Sequence, residues 1–263
     1  MRETDERPGK LHTSGAAVAV VTGGGGGIGS AVAARLSADG MAVAVADVDL
    51  DAAGRAVAAI HARGGRAAVI ELDVTNAPQV SERMEHVATE FGRLDVLVNA
   101  AGIQFNCATV DLRPEDYLQV LGVNLNGTVY CCQAAGRQMI RQGGGVIVNI
   151  SSLASSFGWP RRIPYAVTKA GVVALTRSLA VEWAPYNVRV VAVAPGYVAT
   201  DLVRRAFERG HIQPETVLAE IPQHRLATPK EIADLVGYLS SPAAAYITGQ
   251  EIVIDGGFSV YKL

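Results

Sequence analysis

Five consecutive glycines separate an apolar segment from a helix-like segment near the start of this 263-residue chain, and this junction restricts the possible folds strongly. The letters VVTGGGGGIGS cover residues 20–30, after an apolar run over 16–21 and before helix-forming residues over 30–36. Glycines permit positive φ and a close approach of the backbone, and the free N–H groups at a helix start attract anions. The order of strand, glycine turn and helix therefore predicts a phosphate-binding turn, because a flexible linker would not be flanked by regular patterns on both sides.

Apolar and helical segments alternate along the rest of the chain. Further apolar runs occupy residues 41–46, 67–72, 94–98, 145–150, 188–194 and 251–254. Helical patterns occupy residues 51–62, 77–91, 115–140, 165–183 and 230–239. This alternation predicts βαβ units, and hence an α/β fold with a Rossmann-like, doubly wound parallel sheet of about seven strands and helices on both faces.

The same pattern predicts the domain organisation. We expect a flexible N-terminal tail over residues 1–14, followed by a single dinucleotide-binding catalytic domain over 15–263. Residues 197–227 are richer in charge and follow a strand end, so we expect them to form a substrate lid within that domain.

Composition argues against several classes of partner. The formal charge of −2 offers no basic surface for nucleic acid. Apolar runs fall short of the roughly 18 residues that a membrane-spanning helix needs, and the start MRETDERPGK is charged. Three cysteines, two of them adjacent, do not form a disulfide framework, and the five histidines lack the spacing of metal ligands. We therefore expect a cytoplasmic protein without a metal site.

A carboxylate follows the second predicted strand. Asp47 lies 18 positions after Gly29, close to the roughly 20 residues that separate a glycine turn from the acid that binds the adenosine ribose. A carboxylate there would repel a 2′-phosphate, so the sequence favours NAD over NADP as the cofactor. The alternative is an ordinary aspartate near a helix start, because Asp49 and Asp51 make this loop acidic in any case.

Tyr165 and Lys169 stand four residues apart within PYAVTKAG, which places them on one face of a helix. An ammonium close to a phenol stabilises the phenolate, so the pair is a candidate acid/base. Such a pair also arises by chance in long helices, and other motifs are needed to support it. These motifs are NAAG over 99–102, VNLNG over 123–127, IVNISS over 147–152, PGYVATDL over 195–202 and DGG over 255–257.

Taken together and in this order, the motifs closely resemble those of the classical short-chain dehydrogenases/reductases, over essentially all of the chain after residue 16. The resemblance implies four catalytic residues, namely Asn124, Ser152, Tyr165 and Lys169. Tyr165 would be the acid/base, Lys169 would lower its pKa and bind the nicotinamide ribose, and Asn124 would order a proton-relay water. Ser152 stands 13 positions before Tyr165, the spacing typical of the family's serine, so Ser151 is interpreted as its neighbour.

The resemblance also implies a set of cofactor-binding residues. They are Thr22, Gly23, Gly27, Ile28, Gly29, Asp47, Asp73, Val74, Asn99, Ala100, Ala101, Gly102, Tyr165, Lys169, Pro195, Gly196, Val198 and Thr200. One departure is visible, because Ala100 stands where the family commonly has a second asparagine. This departure leaves the four catalytic residues complete and puts only a local contact in doubt.

Residues near the predicted catalytic group are candidates for the substrate site. They are Gln104, Leu153, Phe157, Trp159, Arg162 and Tyr197. Polar members of this set suit a polyhydroxylated substrate, whereas the aromatic members suit an apolar one. Arg161 and Arg162 are either an anion-binding pair or a solvated or subunit-interface pair.

The resemblance implies an NAD-dependent oxidoreductase that interconverts a secondary alcohol and a ketone, and the sequence favours a sugar, polyol or related hydroxy compound as its substrate. One alternative is a 3-oxoacyl-thioester reductase that uses NADPH, and another is a dinucleotide-binding protein without turnover. Classical members of the family are usually homotetramers, so the resemblance also implies self-association.

Overall fold

The computed structural model describes residues 15–208 and 213–261, so the tail predicted over residues 1–14 lies outside the described residues. Within them, one parallel sheet contains seven strands. These are Val18–Thr22 (β1), Ala42–Asp47 (β2), Arg66–Glu71 (β3), Val96–Asn99 (β4), Gly145–Ile150 (β5), Val188–Pro195 (β6) and Glu251–Ile254 (β7). Their order across the sheet is β3-β2-β1-β4-β5-β6-β7. The predicted fold class is confirmed.

Helices cover both faces of this sheet. The α-helices are Gly27–Ala38 (α1), Leu50–His61 (α2), Ala77–Glu90 (α3), Pro114–Leu121 (α4), Gly127–Gln142 (α5), Ile163–Trp183 (α6), Asp201–Glu208 (α7), Pro214–Glu220 (α8) and Pro229–Ser240 (α9). Buried side chains of α1, α2 and α9 pack on one face, and those of α3, α5 and α6 pack on the other. Within the described part of the chain, no helix is both long enough and apolar enough to cross a bilayer.

The strand order reverses between β1 and β4, which lie side by side at the centre of the sheet. In open parallel sheets, ligands bind at the carboxyl ends of the strands next to such a reversal. The glycine turn follows β1 and therefore lies at this point.

Two segments differ in detail from the prediction. The helix expected over 115–140 is interrupted by a π-helical turn at Gly122–Asn126, which separates α4 from α5. Such turns are frequent at functional sites, and this one carries Asn124. The segment expected to form a lid contains α7 and α8, and a parallel bridge between Val198 and Ala227 joins its two ends.

Candidate active site

The glycine turn after β1 is packed too tightly for side chains. Gly23 has a φ of +63°, and a Cβ atom there would lie 2.7 Å from the Cα of Ala101. A Cβ atom on Gly29 would overlap the carbonyl oxygen of Gly23. The first N–H groups of α1, which begins at Gly27, therefore remain uncovered by any side chain of the turn. This arrangement fits a bound pyrophosphate.

A cleft of about 690 Å³ opens beside this turn, at the carboxyl ends of the central strands. Its lining includes Gly23, Gly26, Asp47, Asp73, Val74, Ala100, Ala101 and Gly102. The Asp47 carboxylate accepts hydrogen bonds from the backbone N–H groups of Gly25, at 2.9 Å, and Asp49, at 3.0 Å. Two carboxylates and no lysine or arginine line the described walls of this cleft. The described walls of the cleft therefore present negative charge to a bound ligand.

Several other predicted cofactor residues lie beside the same turn. The N–H groups of Ala100 and Ala101 donate to the carbonyl oxygen and the hydroxyl of Thr22, respectively, which joins the ends of β4 and β1. A Cβ atom on Gly27 would lie 3.0 Å from the Cγ2 of Thr200. The loop after β6 thus comes into contact with the nucleotide turn, although the two are more than 170 residues apart in the chain.

Ser152, Tyr165 and Lys169 meet where β5 ends and α6 begins. Lys169 is buried, its Nζ donates to the carbonyl oxygen of Ile150 at 2.8 Å, and it lies 5.5 Å from the centre of the Tyr165 ring. Ser152 lies close enough to Tyr165 for its side chain to lower the pKa of the phenol, and its Oγ accepts from the N–H of Ala154 at 3.2 Å. Because α6 is a continuous helix, the spacing of four residues places the phenol and the ammonium on one face, as the sequence predicted.

Burial has the largest effect on the pKa values of Tyr165 and Lys169. It raises the pKa of Tyr165, and the hydrogen bond with Ser152 and the charge of Arg162 lower it in part. Burial also lowers the pKa of Lys169 to about 8. We expected Lys169 to bring the phenol into the working range, but the protein groups alone leave the pKa of Tyr165 above its ordinary value. The desolvation of both side chains explains the difference.

Asn124 is fully buried in the π-helical turn, and its amide group is bound to protein atoms on both sides. Its Oδ1 accepts from the N–H of Ile103 at 2.8 Å, and its Nδ2 donates to the carbonyl oxygen of Ile103 at 2.9 Å and to the Thr168 hydroxyl at 3.3 Å. Since Thr168 lies on α6, the side chain of Asn124 connects the loop after β4 to the helix that carries Tyr165. A positioning role follows from these bonds, and the predicted ordering of a water stays a prediction.

The two adjacent serines after β5 point to different partners. The Ser151 hydroxyl donates to Glu251 Oε1 at 2.7 Å, and the Ser155 hydroxyl donates to the same oxygen at 2.7 Å. Ser152 contacts Tyr165 instead. The two serines therefore have different partners, and Glu251 on β7 anchors this loop. The catalytic role of Ser152 stays a prediction. Glu251 was not predicted, because it lies 99 residues beyond Ser152 in the chain and only the pairing of β6 with β7 brings it here.

A buried polar network beneath the site was also missed. The side chain of Asn99, predicted to face the cofactor, instead donates to Asn149 Oδ1 at 2.9 Å and contacts the Cys132 sulfur. Asn149 Nδ2 donates to the Thr176 hydroxyl on α6 at 2.9 Å. The Asn99 side chain thus forms a link within the core, because alternate residues of a strand face opposite sides of the sheet. The predicted lining of the cofactor by residue 99 stays a prediction.

The predicted substrate residues fall into two groups. Trp159 stacks on Tyr197 with 5.7 Å between ring centres, Phe258 contacts both rings edge-on, and the Arg162 guanidinium lies 4.7 Å from the Trp159 ring centre. Leu153, in contrast, is only 1 % exposed and belongs to the packed interior, so it does not form an open wall. Gln104 donates to the side chain of Asn106, and Phe157 is half-buried.

Known proteins resemble this chain over most of its length. A family model described as enoyl-(acyl carrier protein) reductase matches residues 23–259. The chain is 42 % identical over 244 residues to the short-chain reductase protein NovJ of Streptomyces niveus, a match that covers 91 % of this chain and 93 % of that protein. It is 40 % identical over 248 residues to a 3-oxoacyl-[acyl-carrier-protein] reductase of Synechocystis, covering 94 % and 98 % of the two chains.

Two further relatives extend the comparison. The D-threitol dehydrogenase of Mycolicibacterium smegmatis is 39 % identical over 247 residues, covering 92 % of this chain and 93 % of that one. The crystal structure of a short-chain type dehydrogenase/reductase from Mycobacterium marinum superimposes with a TM-score of 0.88 at 36 % identity, covering 95 % and 98 % of the two chains. The chain belongs to the short-chain dehydrogenase/reductase family and is an oxidoreductase that acts on CH–OH groups.

Proposed function

We propose that this protein is an NAD-dependent dehydrogenase that interconverts a secondary alcohol and a ketone in a sugar, a polyol or a related hydroxy compound. The observation that carries the cofactor preference is the position of Asp47 in a cleft whose described lining contains no cationic side chain. A 2′-phosphate placed there would meet a carboxylate and no counter-charge, which is unfavourable in a partly enclosed site. The preference for a hydroxy compound is supported by the similarity to the D-threitol dehydrogenase.

The residues of the chain have complementary roles in this reaction. In the oxidative direction, the phenolate of Tyr165 would accept the proton of the substrate hydroxyl, while Ser152 donates a hydrogen bond to the same oxygen. Lys169, fixed by the Ile150 carbonyl, would bind the nicotinamide ribose and hold a positive charge near the phenol. When bound, the nicotinamide supplies the hydride acceptor or donor. In the reductive direction, Tyr165 would return the proton to the carbonyl oxygen.

A second function is favoured by a separate observation. The family model is described as an acyl-carrier-protein reductase, and the Synechocystis relative is named as a 3-oxoacyl-[acyl-carrier-protein] reductase. The alternative is therefore an NADPH-dependent reductase of 3-oxoacyl thioesters. The predicted cytoplasmic location and homotetramer are compatible with both functions and stay predictions.

One titration separates these two functions. We would follow nicotinamide fluorescence while NADH or NADPH binds to the purified protein, and we expect NADH to bind at least 10-fold more tightly, since one unpaired buried charge costs on the order of 1.4 kcal/mol or more. The Asp47→Asn variant keeps an acceptor for the Gly25 N–H and removes the charge, so it should bind NADPH more tightly than the parent. A parent that prefers NADPH and reduces 3-oxoacyl thioesters, but oxidises no alcohol, would overturn the proposal.

A further inference from the structure

Arg162 is a cation without a carboxylate partner among the described residues, and its contact with an aromatic ring distinguishes it from the other unpaired arginines there. Arg35, Arg93, Arg113, Arg204 and Arg225 each lie against an aspartate or a glutamate. The Arg162 guanidinium lies against the Trp159 ring instead, 4.7 Å from its centre, and its side chain is half-buried. A guanidinium held on an aromatic face keeps its hydrogen-bonding edge free for an acceptor.

The local backbone is shaped to hold this side chain in place. Arg161 has a φ of +65°, a conformation that is costly for any residue other than glycine. Its carbonyl oxygen accepts a hydrogen bond from the N–H of Cys107 at 3.0 Å, which anchors the turn to the loop after β4. Arg162 follows as the residue that precedes α6, whereas the Arg161 side chain is exposed. The two neighbouring arginines therefore have different environments.

Arg162 also lies close to the reaction end of the site. Arg162 directly precedes α6, three residues before Tyr165, and its guanidinium lies on Trp159, the ring that stacks on Tyr197. Its charge lowers the pKa of both phenols. Trp159, Tyr197 and Phe258 form the aromatic cluster beside it. Glu220, whose charge also reaches Tyr197, makes no ion pair with Arg162. Within the described part of the chain, the charge of Arg162 is therefore not paired directly with a carboxylate.

We propose that Arg162 binds an anionic group of the substrate, a carboxylate of a hydroxy acid, and that the enzyme therefore prefers hydroxy acids to uncharged polyols. A carboxylate matches the two parallel N–H donors of one guanidinium. A phosphate shares this chemistry, and the test separates the two. The inference deepens the proposed function and rests on it for the identity of the reacting alcohol.

The kinetic test compares substrates that differ by a single charge. Gluconate and sorbitol differ by one carboxylate in place of a hydroxymethyl group, and sorbitol 6-phosphate carries a phosphate instead. We expect Arg162→Gln to lower kcat/KM for gluconate roughly 10- to 100-fold, the loss typical of a hydrogen-bonded charge pair, and to change kcat/KM for sorbitol less than about threefold. Arg161→Gln is the matched control, and it should leave both substrates unaffected.

Each alternative outcome has a defined meaning. An equal loss for gluconate and sorbitol would mean that Arg162 acts through Tyr165, and no loss for either would mean that it binds nothing, so both results overturn the proposal. The Arg162→Lys variant keeps the charge but not the two parallel donors, so a selective loss on gluconate in this variant supports direct binding. A preference for sorbitol 6-phosphate over gluconate would assign the site to phosphates and overturn the choice of a carboxylate.

Ligand binding at Arg162 can be measured by fluorescence, independently of turnover. The chain contains two tryptophans, Trp159 and Trp183, and Trp183 is buried in the core. The fluorescence difference between the parent and Trp159→Phe therefore reports on the stacked pair. We expect gluconate to change this signal in the parent but not in Arg162→Gln, and sorbitol to change it in neither. Absence of a gluconate response would overturn the proposal, whereas a response in a protein that oxidises no alcohol would refute only the proposed function.

Discussion

The nucleotide end of the candidate site is built from backbone, whereas the reaction end is built from side chains. At the nucleotide end, Gly23 and Gly29 leave no room for a Cβ atom, and no side chain caps the first N–H groups of α1. At the reaction end, Asn124 and Lys169 are buried and hydrogen-bonded to the main chain of neighbouring elements. The nucleotide end therefore depends on the absence of side chains, whereas the reaction end depends on long-range hydrogen bonds that hold side chains in place.

The largest effect is expected at the reaction end, from Tyr165→Phe. Removing the acid/base hydroxyl should lower kcat by roughly 10²- to 10⁴-fold, the usual contribution of general acid–base catalysis, while NADH affinity changes little. Steady-state kinetics and a fluorescence titration measure the two quantities. Tyr238→Phe, on the exposed side of α9, is the control and should be neutral. Unchanged turnover in Tyr165→Phe would exclude the assigned mechanism.

The corresponding change at the nucleotide end is Gly29→Ala. The added Cβ would overlap the Gly23 carbonyl, so we expect a loss of about 3 kcal/mol in unfolding free energy and at least a 10-fold loss in NADH affinity. Gly54→Ala is the matched control, because Gly54 lies in α2 with no atom near its missing Cβ, and alanine there should stabilise by about 0.5–1 kcal/mol. Urea denaturation measures both variants. If Gly29→Ala and Gly54→Ala changed the unfolding free energy equally, close packing of the turn would not explain the need for glycine at position 29.

Lys169 at the reaction end makes the unfolding free energy depend on pH. Its pKa is lowered to about 8 by burial, below the value of about 10.4 in an unfolded chain. Between these two values the unfolded state holds the proton and the folded state does not, so stability rises with pH. Relative to Lys169→Met, the parent should gain up to about 3 kcal/mol of unfolding free energy between pH 8 and 10.4. Urea denaturation at several pH values tests this, and a constant difference between the two proteins would contradict it.

The smallest expected effect comes from the buried network beneath the site. Thr176→Val keeps the shape of the side chain but leaves Asn149 Nδ2 without the acceptor that lies 2.9 Å away. We expect a loss of roughly 1–3 kcal/mol in unfolding free energy and a several-fold decrease in kcat, with NADH affinity retained. Ser178→Ala, on the exposed side of the same helix, is the control. A loss of NADH affinity as large as the decrease in kcat would mean that the nucleotide end and the reaction end are not built independently.

Local sequence pattern was sufficient to predict the strand, the glycine turn and the helix of the nucleotide end. The glycine turn lies within 30 residues of Asp47, and strand, turn and helix follow one another directly in the chain. The seven strands were likewise predicted from apolar runs, because a strand buried on both faces is apolar throughout. The boundaries agree within two residues in each case, as at β5 and β7, where they coincide.

The reaction end could be predicted only in part. The spacing of Tyr165 and Lys169 follows from the period of a helix, and the serine follows from the family resemblance. Glu251 and the inward orientation of Asn99 were not predictable, since they depend on which strand lies beside which and on the face that each residue presents. The π-helical turn at Gly122–Asn126 was missed for a similar reason, because the apolar pattern across it continues as in an ordinary helix.

Sequence pattern alone was enough to predict the fold class, the position of the glycine turn and the residue types of the proposed acid/base group, because each depends on short-range periodicity or on the absence of side chains. Tertiary structure alone decided that Ser152 rather than Ser151 contacts Tyr165, that the pKa of this phenol is raised, and that Arg162 stays unpaired among the described residues while its neighbour is exposed. These features depend on burial and on contacts between distant segments, and both exist only once the sheet has brought the segments together.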